Sequence, residues 1–176
     1  MTDNVCVYLP GGFVIENASE EDIDEIAALE EVCFPKEPWS RNMLAEELSN
    51  SSALFIVARK AVGDAYEKGS KGQMAGYLVA WLVPPYECQI GSIAVLPEFR
   101  RKGIAAGLLR VLCGTCSLHD IQDIELEVRV TNTAAIELYK RFFFEITGVR
   151  KNYYQDGEDA YNMARLGEDP EGRTMA

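Results

Sequence analysis

The chain has 176 residues, 48% of them hydrophobic, and its 28 acidic against 17 basic side chains give a formal net charge of −11. This length and apolar content predict one compact domain with a sizeable core. The acidic balance argues against a nucleic-acid backbone as main partner, because such contacts depend on clustered Lys and Arg. No apolar run is long enough to span a membrane, and the first residues lack the pattern of a signal peptide. We therefore expect a soluble, cytoplasmic protein whose partner is a basic peptide or an amine.

The five cysteines are odd in number and lack the spacing of a disulfide framework, which predicts reduced thiols. Cys113, Cys116 and His119 could place three metal ligands on one side of a helix. A closed zinc site needs four ligands, usually from two separated pairs, and no second pair exists. Small residues packed in a helix are the favoured interpretation, and we expect no metal.

The residue pattern in the first third of the chain predicts a strand followed by two helices. The strand covers 13–18, and Ser19 with Asp22 then forms the pattern of a capping box before apolar residues at helical spacing. The segment 34–40 contains two prolines and ends this helix, after which Ser40 can cap a second one.

Apolar runs in the middle of the chain predict three strands. Runs at 53–59 and 74–83 form a hairpin whose long connection, 60–72, is expected to be mobile. A third strand over 90–96 is stopped by Pro97.

The remaining elements complete an α/β domain. They are a helix, a strand, a second helix and a terminal hairpin, at 104–118, 121–130, 133–142, and 148–154 with 160–166. Together the elements predict a mixed sheet of about six or seven strands flanked by helices. The domain covers 13–166, between an N-terminal extension (1–12) and a tail (167–176) that is expected to be disordered.

A basic turn leads from the third strand into a helix that begins with small residues. Helix N-termini present unpaired amides and a partial positive charge, so such a turn can cradle a phosphate or pyrophosphate. Gly103 lets a ligand approach the backbone, and Ala105 and Ala106 leave the amides uncovered. Taken alone, such turns are common, and this one matches neither a Walker loop nor the dinucleotide fingerprint.

The strand after this helix alternates apolar residues with Glu125, Glu127 and Arg129. The ordinary interpretation is a strand with one wet face, although a general base for chemistry beside an anion site would also lie here. Asn132 is a good N-cap for the next helix, and Tyr139 lies two turns further on a similar face. A core tyrosine with one hydrogen-bond partner is the commoner case for such a position.

Two motifs in these segments resemble a known family. Arg100-x-x-Gly103-x-Ala105 is similar to the Q/R-x-x-G-x-G/A signature of the GCN5-related N-acetyltransferases (GNAT), where it binds the pyrophosphate of acetyl-CoA. The run from Leu126 to Tyr139 resembles the L-E-V-R-x-S/T-N-x-x-A-I-x-L-Y signature of the RimI-type protein N-terminal alanine acetyltransferases. The resemblance extends from Phe13 to Leu166, and the hairpin is also similar to that of eukaryotic subunits that acetylate nascent chains.

The resemblance implies the GNAT fold, acetyl-CoA as co-substrate and a role for each matching residue. Glu127 corresponds to the proposed proton acceptor and Tyr139 to the proton donor. The residues expected to hold acetyl-CoA are Ile93, Ala94, Val95, Arg100, Arg101, Lys102, Gly103, Ile104, Ala105, Ala106 and Asn132. Segments 34–40 and 152–160 border the peptide groove in relatives, and whether Tyr153 and Tyr154 grip the peptide or stiffen the hairpin stays open.

The chain departs from the family pattern at two positions. Family members usually have glycine where this chain has Phe143, a change that costs about 1 kcal/mol if the backbone there is left-handed. Ala105 stands where glycine is more usual, which the motif permits.

The function that these features predict is acetyl transfer to the N-terminal α-amine of a protein, with a ribosomal protein that begins with alanine as substrate. An acetyltransferase acting on lysine or small amines is the first alternative. The second is a non-catalytic CoA-binding module, as in a tRNA-modifying complex. The oligomeric state is left open.

Overall fold

The computed structural model describes residues 4–61, 71–83 and 87–167. These ranges contain eight strands, namely β1 (Cys6–Leu9), β2 (Phe13–Asn17), β3 (Ala53–Lys60), β4 (Met74–Val83), β5 (Glu87–Val95), β6 (Asp123–Arg129), β7 (Glu145–Arg150) and β8 (Ala160–Arg165). They also contain four α-helices, α1 (Ile23–Cys33), α2 (Arg41–Ser49), α3 (Ile104–Leu118) and α4 (Thr133–Arg141). The predicted mobility of 60–72 and disorder of 167–176 concern residues that lie largely outside the described ranges.

The strands form one mixed sheet in the order β1-β2-β3-β4-β5-β6-β8-β7. β5 and β6 are parallel, whereas β1 to β3 pair antiparallel with their successors, and β8 pairs antiparallel with both β6 and β7. The mixed α/β class is confirmed, with one or two strands more than predicted. The addition is β1, which lies in the predicted N-terminal extension; its residues are mostly exposed, so no alternating pattern marked it.

The chain groups into two compact units, Met1–Trp81 with Gly91–Cys113 and Leu82–Ile90 with Gly114–Ala176. β4, β5 and α3 each contribute residues to both units. The single domain over 13–166 stays a prediction. No described helix has the length and apolar character needed to cross a membrane.

In the first unit, α1 and α2 pack on β3 and β4 through a buried apolar cluster. Its largest members are Ile23, Ile26, Leu29, Leu44, Phe55, Val57, Met74, Tyr77 and Val79. The predicted helical spacing in α1 is therefore confirmed, and the Ser40 hydroxyl caps α2 by accepting the Met43 N–H at 3.3 Å.

The start of α1 is fixed by a buried ion-pair cluster. The capping box is confirmed, since the Asp22 carboxylate accepts the backbone N–H and the hydroxyl of Ser19, each at 2.8 Å. Asp22 also pairs at 2.6 Å with Arg59 of β3, a side chain buried completely. Burial opposes ionisation of Asp22, but hydrogen bonds from Lys71, Ser19 and Arg59 outweigh it and hold the Asp22 pKa below its ordinary value.

In the second unit, α4 ends in a Schellman motif that fixes the approach to β7. Phe143 has a φ of 66°, its N–H bonds the Lys140 carbonyl at 3.0 Å, and the Phe144 N–H bonds the Tyr139 carbonyl at 3.2 Å. The rings of Tyr139 and Phe144 pack 5.8 Å apart, the apolar contact that accompanies this motif. Phe143, which stands where family members usually have glycine, thus has a left-handed backbone conformation. Glycine would adopt this conformation without strain.

Candidate functional site

The basic turn before α3 has the backbone shape of an anion cradle. Arg101 and Gly103 have φ values of 62° and 82°, and a Cβ added at Gly103 would meet no atom within 4 Å. The Gly107 N–H bonds the Gly103 carbonyl at 2.9 Å, which leaves the N–H groups of Ile104, Ala105 and Ala106 without a helical acceptor. Left-handed residues beside a helix N-terminus create a concave set of donors that suits a phosphate or pyrophosphate.

Two of the three basic side chains in the turn make contacts with neighbouring residues of the same segment. The Arg100 Nε donates to the Val95 carbonyl at 3.1 Å, and the Lys102 ammonium lies 5.1 Å from the centre of the Phe99 ring. Arg101 makes no ion pair or hydrogen bond with its side chain in the described ranges, so it is the cation best available to a bound anion.

The last residues of β5 do not pair with β6, although the first residues of the strand do. The parallel pairing with β6 covers Glu87–Ile90 only. Further along, the Leu96 N–H bonds the Ala75 carbonyl of β4 at 2.9 Å, and the Ala94 carbonyl lies beside Gly76. Because backbone groups alternate along a strand, the N–H groups of Ile93 and Val95 point to the other edge. They are the donors that a polarised carbonyl oxygen could use.

Glu127 is held by side chains from two other strands of the second unit. Its Oε2 accepts from the Gln89 amide at 2.8 Å, and its Oε1 pairs with the Arg150 guanidinium at 2.8 Å. The Glu127 side chain is 23% exposed, so it remains within reach of a ligand. The sequence indicated Glu127, but it gave no signal for Gln89 and Arg150, which approach it only through strand pairing.

Tyr139 is a buried phenol with no hydrogen bond to its hydroxyl within the described residues. Burial raises the pKa of Tyr139, and the neighbouring Tyr154 contributes in the same direction. The phenol therefore keeps its proton at neutral pH. Asn132 has the predicted role at the start of α4, where its side-chain oxygen accepts the Ala135 N–H at 3.2 Å.

The β7–β8 hairpin is stabilised by arginine–tyrosine contacts. Arg129 lies 3.7 Å above the centre of the Tyr154 ring while it pairs with Asp156 and Glu158 at 3.0 and 2.8 Å. Arg150 stacks on Tyr153 at 4.5 Å. Burial also raises the pKa of Tyr154 to about 12, although Arg129 opposes this. These contacts support the stiffening role; a grip on a peptide stays a prediction.

A buried polar cluster in the first unit escaped the sequence analysis. Glu30 of α1 is fully buried, and its carboxylate accepts the Trp39 N–H at 2.7 Å and the Tyr77 hydroxyl. The Tyr77 oxygen also lies 2.7 Å from the Ser92 hydroxyl of β5. Burial raises the pKa of Glu30 despite these hydrogen bonds. The only signal in the sequence was a glutamate on the buried stripe of α1, one residue after Leu29.

The alternative of a metal site receives no support from the described side chains. In the ranges that the structure covers, no three His, Cys, Asp or Glu residues are grouped so that they could hold a metal ion. None of the five cysteines, all of which lie in the described ranges, forms a disulfide bond, and Cys116 is buried.

Comparison with known proteins relates both units to one family. The family model described as "Acetyltransferase (GNAT) family" matches residues 23–144. A Bacillus subtilis protein with the provisional name [ribosomal protein bS18]-alanine N-acetyltransferase is 36% identical over 151 residues, which covers 85% of this chain and 92% of the relative. An N-alpha-acetyltransferase of Saccharolobus solfataricus is 37% identical over 157 residues, with 87% and 92% covered.

A solved structure supports the same relationship at the level of the fold. The crystal structure of the ribosomal-protein-S18-alanine N-acetyltransferase from Escherichia coli superimposes with a TM-score of 0.74 at 26% identity. It covers 93% of this chain and 99% of its own. The fold and the motif residues therefore point to the same family.

Proposed function

Because the chain belongs to the acetyltransferase (GNAT) family, we propose that it transfers the acetyl group of acetyl-CoA to the α-amine of a protein N-terminus. The observation that carries the proposal is Glu127, a partly exposed carboxylate whose two oxygens are oriented by Gln89 and Arg150. Such a group can accept a proton from an amine. The substrate that the similarity to the Bacillus subtilis and Escherichia coli proteins suggests is the N-terminal alanine of a ribosomal protein.

The turn before α3 fits the phosphate groups of acetyl-CoA. The free N–H groups of Ile104, Ala105 and Ala106 would bind the pyrophosphate, and Arg101 would neutralise part of its charge. Ile93 and Val95 would direct their N–H groups toward the thioester oxygen. Acetyl-CoA supplies an activated acyl group on a thiol leaving group.

The energetics of amine deprotonation favour an N-terminus over a lysine. At pH 7, deprotonation of an α-amine with a pKa of 7.7–8.0 costs about 1 kcal/mol, whereas a lysine amine at 10.4 costs about 4.6 kcal/mol. One glutamate, acting directly or through a water molecule, is an adequate base for the first amine. The net charge of −11 would also attract basic ribosomal proteins.

The proposed reaction is a direct transfer with no acyl-enzyme. The amine nitrogen forms a bond with the carbonyl carbon and gives a proton to Glu127, and the carbon–sulfur bond breaks as the amide forms. Tyr139 donates a hydrogen bond and then its proton to the leaving sulfur. Glu127 afterwards releases its proton to solvent and Tyr139 takes one up, which restores both residues. The products are the acetylated N-terminus and CoA with a free thiol.

Mass spectrometry of acetyl incorporation tests this function. Two peptides that begin with Ala-Arg and contain one lysine are incubated with the protein and acetyl-CoA, one with a free and one with a blocked α-amine. We expect a gain of one acetyl group on the free N-terminus only. Modification of the lysine would support the first alternative, and binding of acetyl-CoA with no product on any amine would support a non-catalytic CoA-binding module.

A further inference from the structure

Asn162 lies in the middle of β8, where asparagine is an uncommon residue. Strand interiors favour β-branched and aromatic side chains and are depleted in asparagine. The Asn162 side chain is half-buried, and its amide oxygen, Oδ1, is buried without a hydrogen-bond partner among the residues that the structure describes. Most buried polar atoms in folded proteins are hydrogen-bonded, and an unpaired one costs free energy. The position of this oxygen therefore needs an explanation.

Strand pairing places Asn162 beside Glu127. The two residues are directly opposite in the antiparallel pair of β6 and β8, so their side chains lie on the same face of the sheet. Cβ atoms of such a pair are about 4.5–5.5 Å apart, a distance that a hydrogen bond between the two side chains can span. On its other side, Asn162 is opposite Gly148 of β7, which has no side chain. A Cβ added at Gly148 would lie 3.8 Å from the Asn162 Nδ2, so the amide nitrogen lies toward β7.

Glu127 and the Asn162 oxygen are both acceptors as long as Glu127 is ionised. They cannot then bond to each other, which agrees with the unpaired state of Oδ1. Glu127 receives one hydrogen bond at each oxygen, from Gln89 and Arg150, whereas a carboxylate has about four acceptor positions. A lone pair therefore remains at which Glu127 can take up a proton. Once protonated, the carboxyl becomes a donor, and the amide oxygen on the neighbouring strand can accept from it.

From this arrangement we propose that Asn162 is a positioning residue that accepts a hydrogen bond from protonated Glu127. The inference rests on the proposed function, in which Glu127 takes a proton from the substrate amine. An N–H bond of the amine breaks, an O–H bond of Glu127 forms, and this hydroxyl donates to Oδ1 until the proton leaves to solvent. Because a hydrogen bond to the neutral form of a carboxyl favours that form, Asn162 makes Glu127 a stronger base.

The neighbours of Glu127 divide into charged or titratable groups and neutral ones. The charged or titratable groups that share its face of β6, pair with it or interact with it electrostatically are Glu125, Arg129, Arg150 and Tyr154. The neutral ones are Gln89 of β5 and Asn162 of β8. Gln89 donates to the ionised form of Glu127, whereas the Asn162 oxygen can bond only to the protonated form. The two neutral side chains therefore act on the proton of Glu127 in opposite directions.

The test follows the Glu127 carboxyl directly by carbon-13 nuclear magnetic resonance, with no substrate present. Protein labelled at the side-chain carboxyl of glutamate is titrated with acid, and the signal that Glu127→Gln loses identifies Glu127. Asn162→Leu keeps the side-chain volume and removes the acceptor, whereas Gln89→Leu removes a donor. Tyr161→Phe is the matched control, because Tyr161 is the preceding residue of β8 and lies on the opposite face.

We expect the midpoint of the Glu127 titration to move down by about half a pH unit or more in Asn162→Leu and up by a similar amount in Gln89→Leu. A disturbance common to both variants would move both midpoints in one direction. Tyr161→Phe should match the wild type. The urea midpoint of Asn162→Leu should not fall, because the amide oxygen has no hydrogen bond with described residues to lose.

Steady-state kinetics on the Ala-Arg peptide give a second, independent readout. Asn162→Leu should lower kcat about three- to tenfold, because Glu127 becomes a weaker base. The peptide KM should change less than twofold, because Asn162 acts through Glu127 and not on the substrate. If Asn162→Leu does not fold, Asn162→Ala, which also removes the acceptor, takes its place in both measurements.

The proposal is overturned if the folded Asn162 variant titrates Glu127 as the wild type does; a water molecule would then be the partner of the amide oxygen. It is equally overturned if the Asn162 and Gln89 variants shift the titration in the same direction, or if the Asn162 variant raises the peptide KM and leaves kcat unchanged. A wild type that acetylates no α-amine overturns the proposed function instead. The titration needs no substrate, so it still decides whether Asn162 bonds the protonated carboxyl.

Discussion

Glu127 receives one hydrogen bond at each carboxylate oxygen, from Gln89 and from Arg150. If it is the proton acceptor, Glu127→Gln keeps the shape of the side chain but removes the base, and kcat should fall about 10²- to 10⁴-fold. Steady-state kinetics on the free Ala-Arg peptide measure the change. Glu125→Gln, two residues away on the same strand and exposed, should retain the wild-type rate. Equal rates for the two variants would remove Glu127 from the mechanism.

A single substitution can distinguish the two roles considered for Tyr139, proton donor and core tyrosine. Its hydroxyl makes no hydrogen bond with described residues, so Tyr139→Phe should change the free energy of unfolding by less than about 0.5 kcal/mol. If the hydroxyl serves the leaving sulfur, kcat should fall about a hundredfold. Urea unfolding and kinetics are measured on the same sample, with Tyr161→Phe as control. A loss of stability without a loss of rate would identify a core tyrosine.

At the level of the elements, the exit from α4 stores strain at one residue. Phe143 is left-handed and 78% exposed, so Phe143→Gly relieves the strain and gives up little buried surface. We expect the free energy of unfolding to rise by about 1 kcal/mol. The matched control is Leu118→Gly, an equally exposed residue in helical conformation at the end of α3, which should lower it by about 1 kcal/mol.

Urea unfolding monitored by circular dichroism checks both variants through the midpoint at constant m-value. A decrease for Phe143→Gly would mean that the exposed ring contributes more than the strained backbone costs.

Most of these elements were predictable because each carried a local signal. The predicted helix over 104–118 and strand over 74–83 agree with the structure at both ends, since apolar periodicity and the flanking loops mark their limits. β5 and β7 each begin three residues earlier than predicted, because Glu87 and Glu145 start strands with polar, exposed residues. Strand pairing, which depends on the neighbouring strand, decided those boundaries.

The candidate site likewise combines residues that a local sequence motif indicates with residues that only the folded structure brings into contact. Glu127, Asn132 and Gly103 lie in motifs of contiguous sequence, so the sequence alone could propose them as site residues. Arg150 and Glu30 act through contacts that join residues 23 and 47 positions apart, and no pattern in one sequence records such distances.

At the scale of the whole molecule, acid should destabilise the fold through carboxylates whose pKa is lowered. The Asp22 pKa lies below its ordinary value of 3.8, so its contribution is complete above that value and is lost as the pH falls through the folded-state pKa. Glu158, bonded by Thr131 and Arg129, and Asp159, bonded by Lys151, also have lowered pKa values and act in the same direction.

We therefore expect the free energy of unfolding to fall as the pH drops below about 4.5 and on through the folded-state pKa values of these carboxylates, as urea titrations at fixed ionic strength would show. Asp22→Asn should lower stability at pH 7 by about 3 kcal/mol, because Arg59 loses a buried partner. Asp22→Asn should also make the loss of stability with falling pH less steep below about pH 3.8. An unchanged acid slope in this variant would exclude Asp22 as a source of the pH dependence.

The edge strand β1 contains a cysteine that can be labelled selectively. Cys6 is the one exposed thiol of the five, while Cys33 and Cys113 are partly covered and Cys88 and Cys116 are buried. A brief treatment with one equivalent of a maleimide dye should therefore label Cys6 before any other thiol, because access controls which thiol reacts first. The label would lie on a strand that contains none of the residues assigned to catalysis. A protein labelled in this way could be followed by fluorescence anisotropy in a titration with the proposed peptide substrate, with no cysteine removed beforehand.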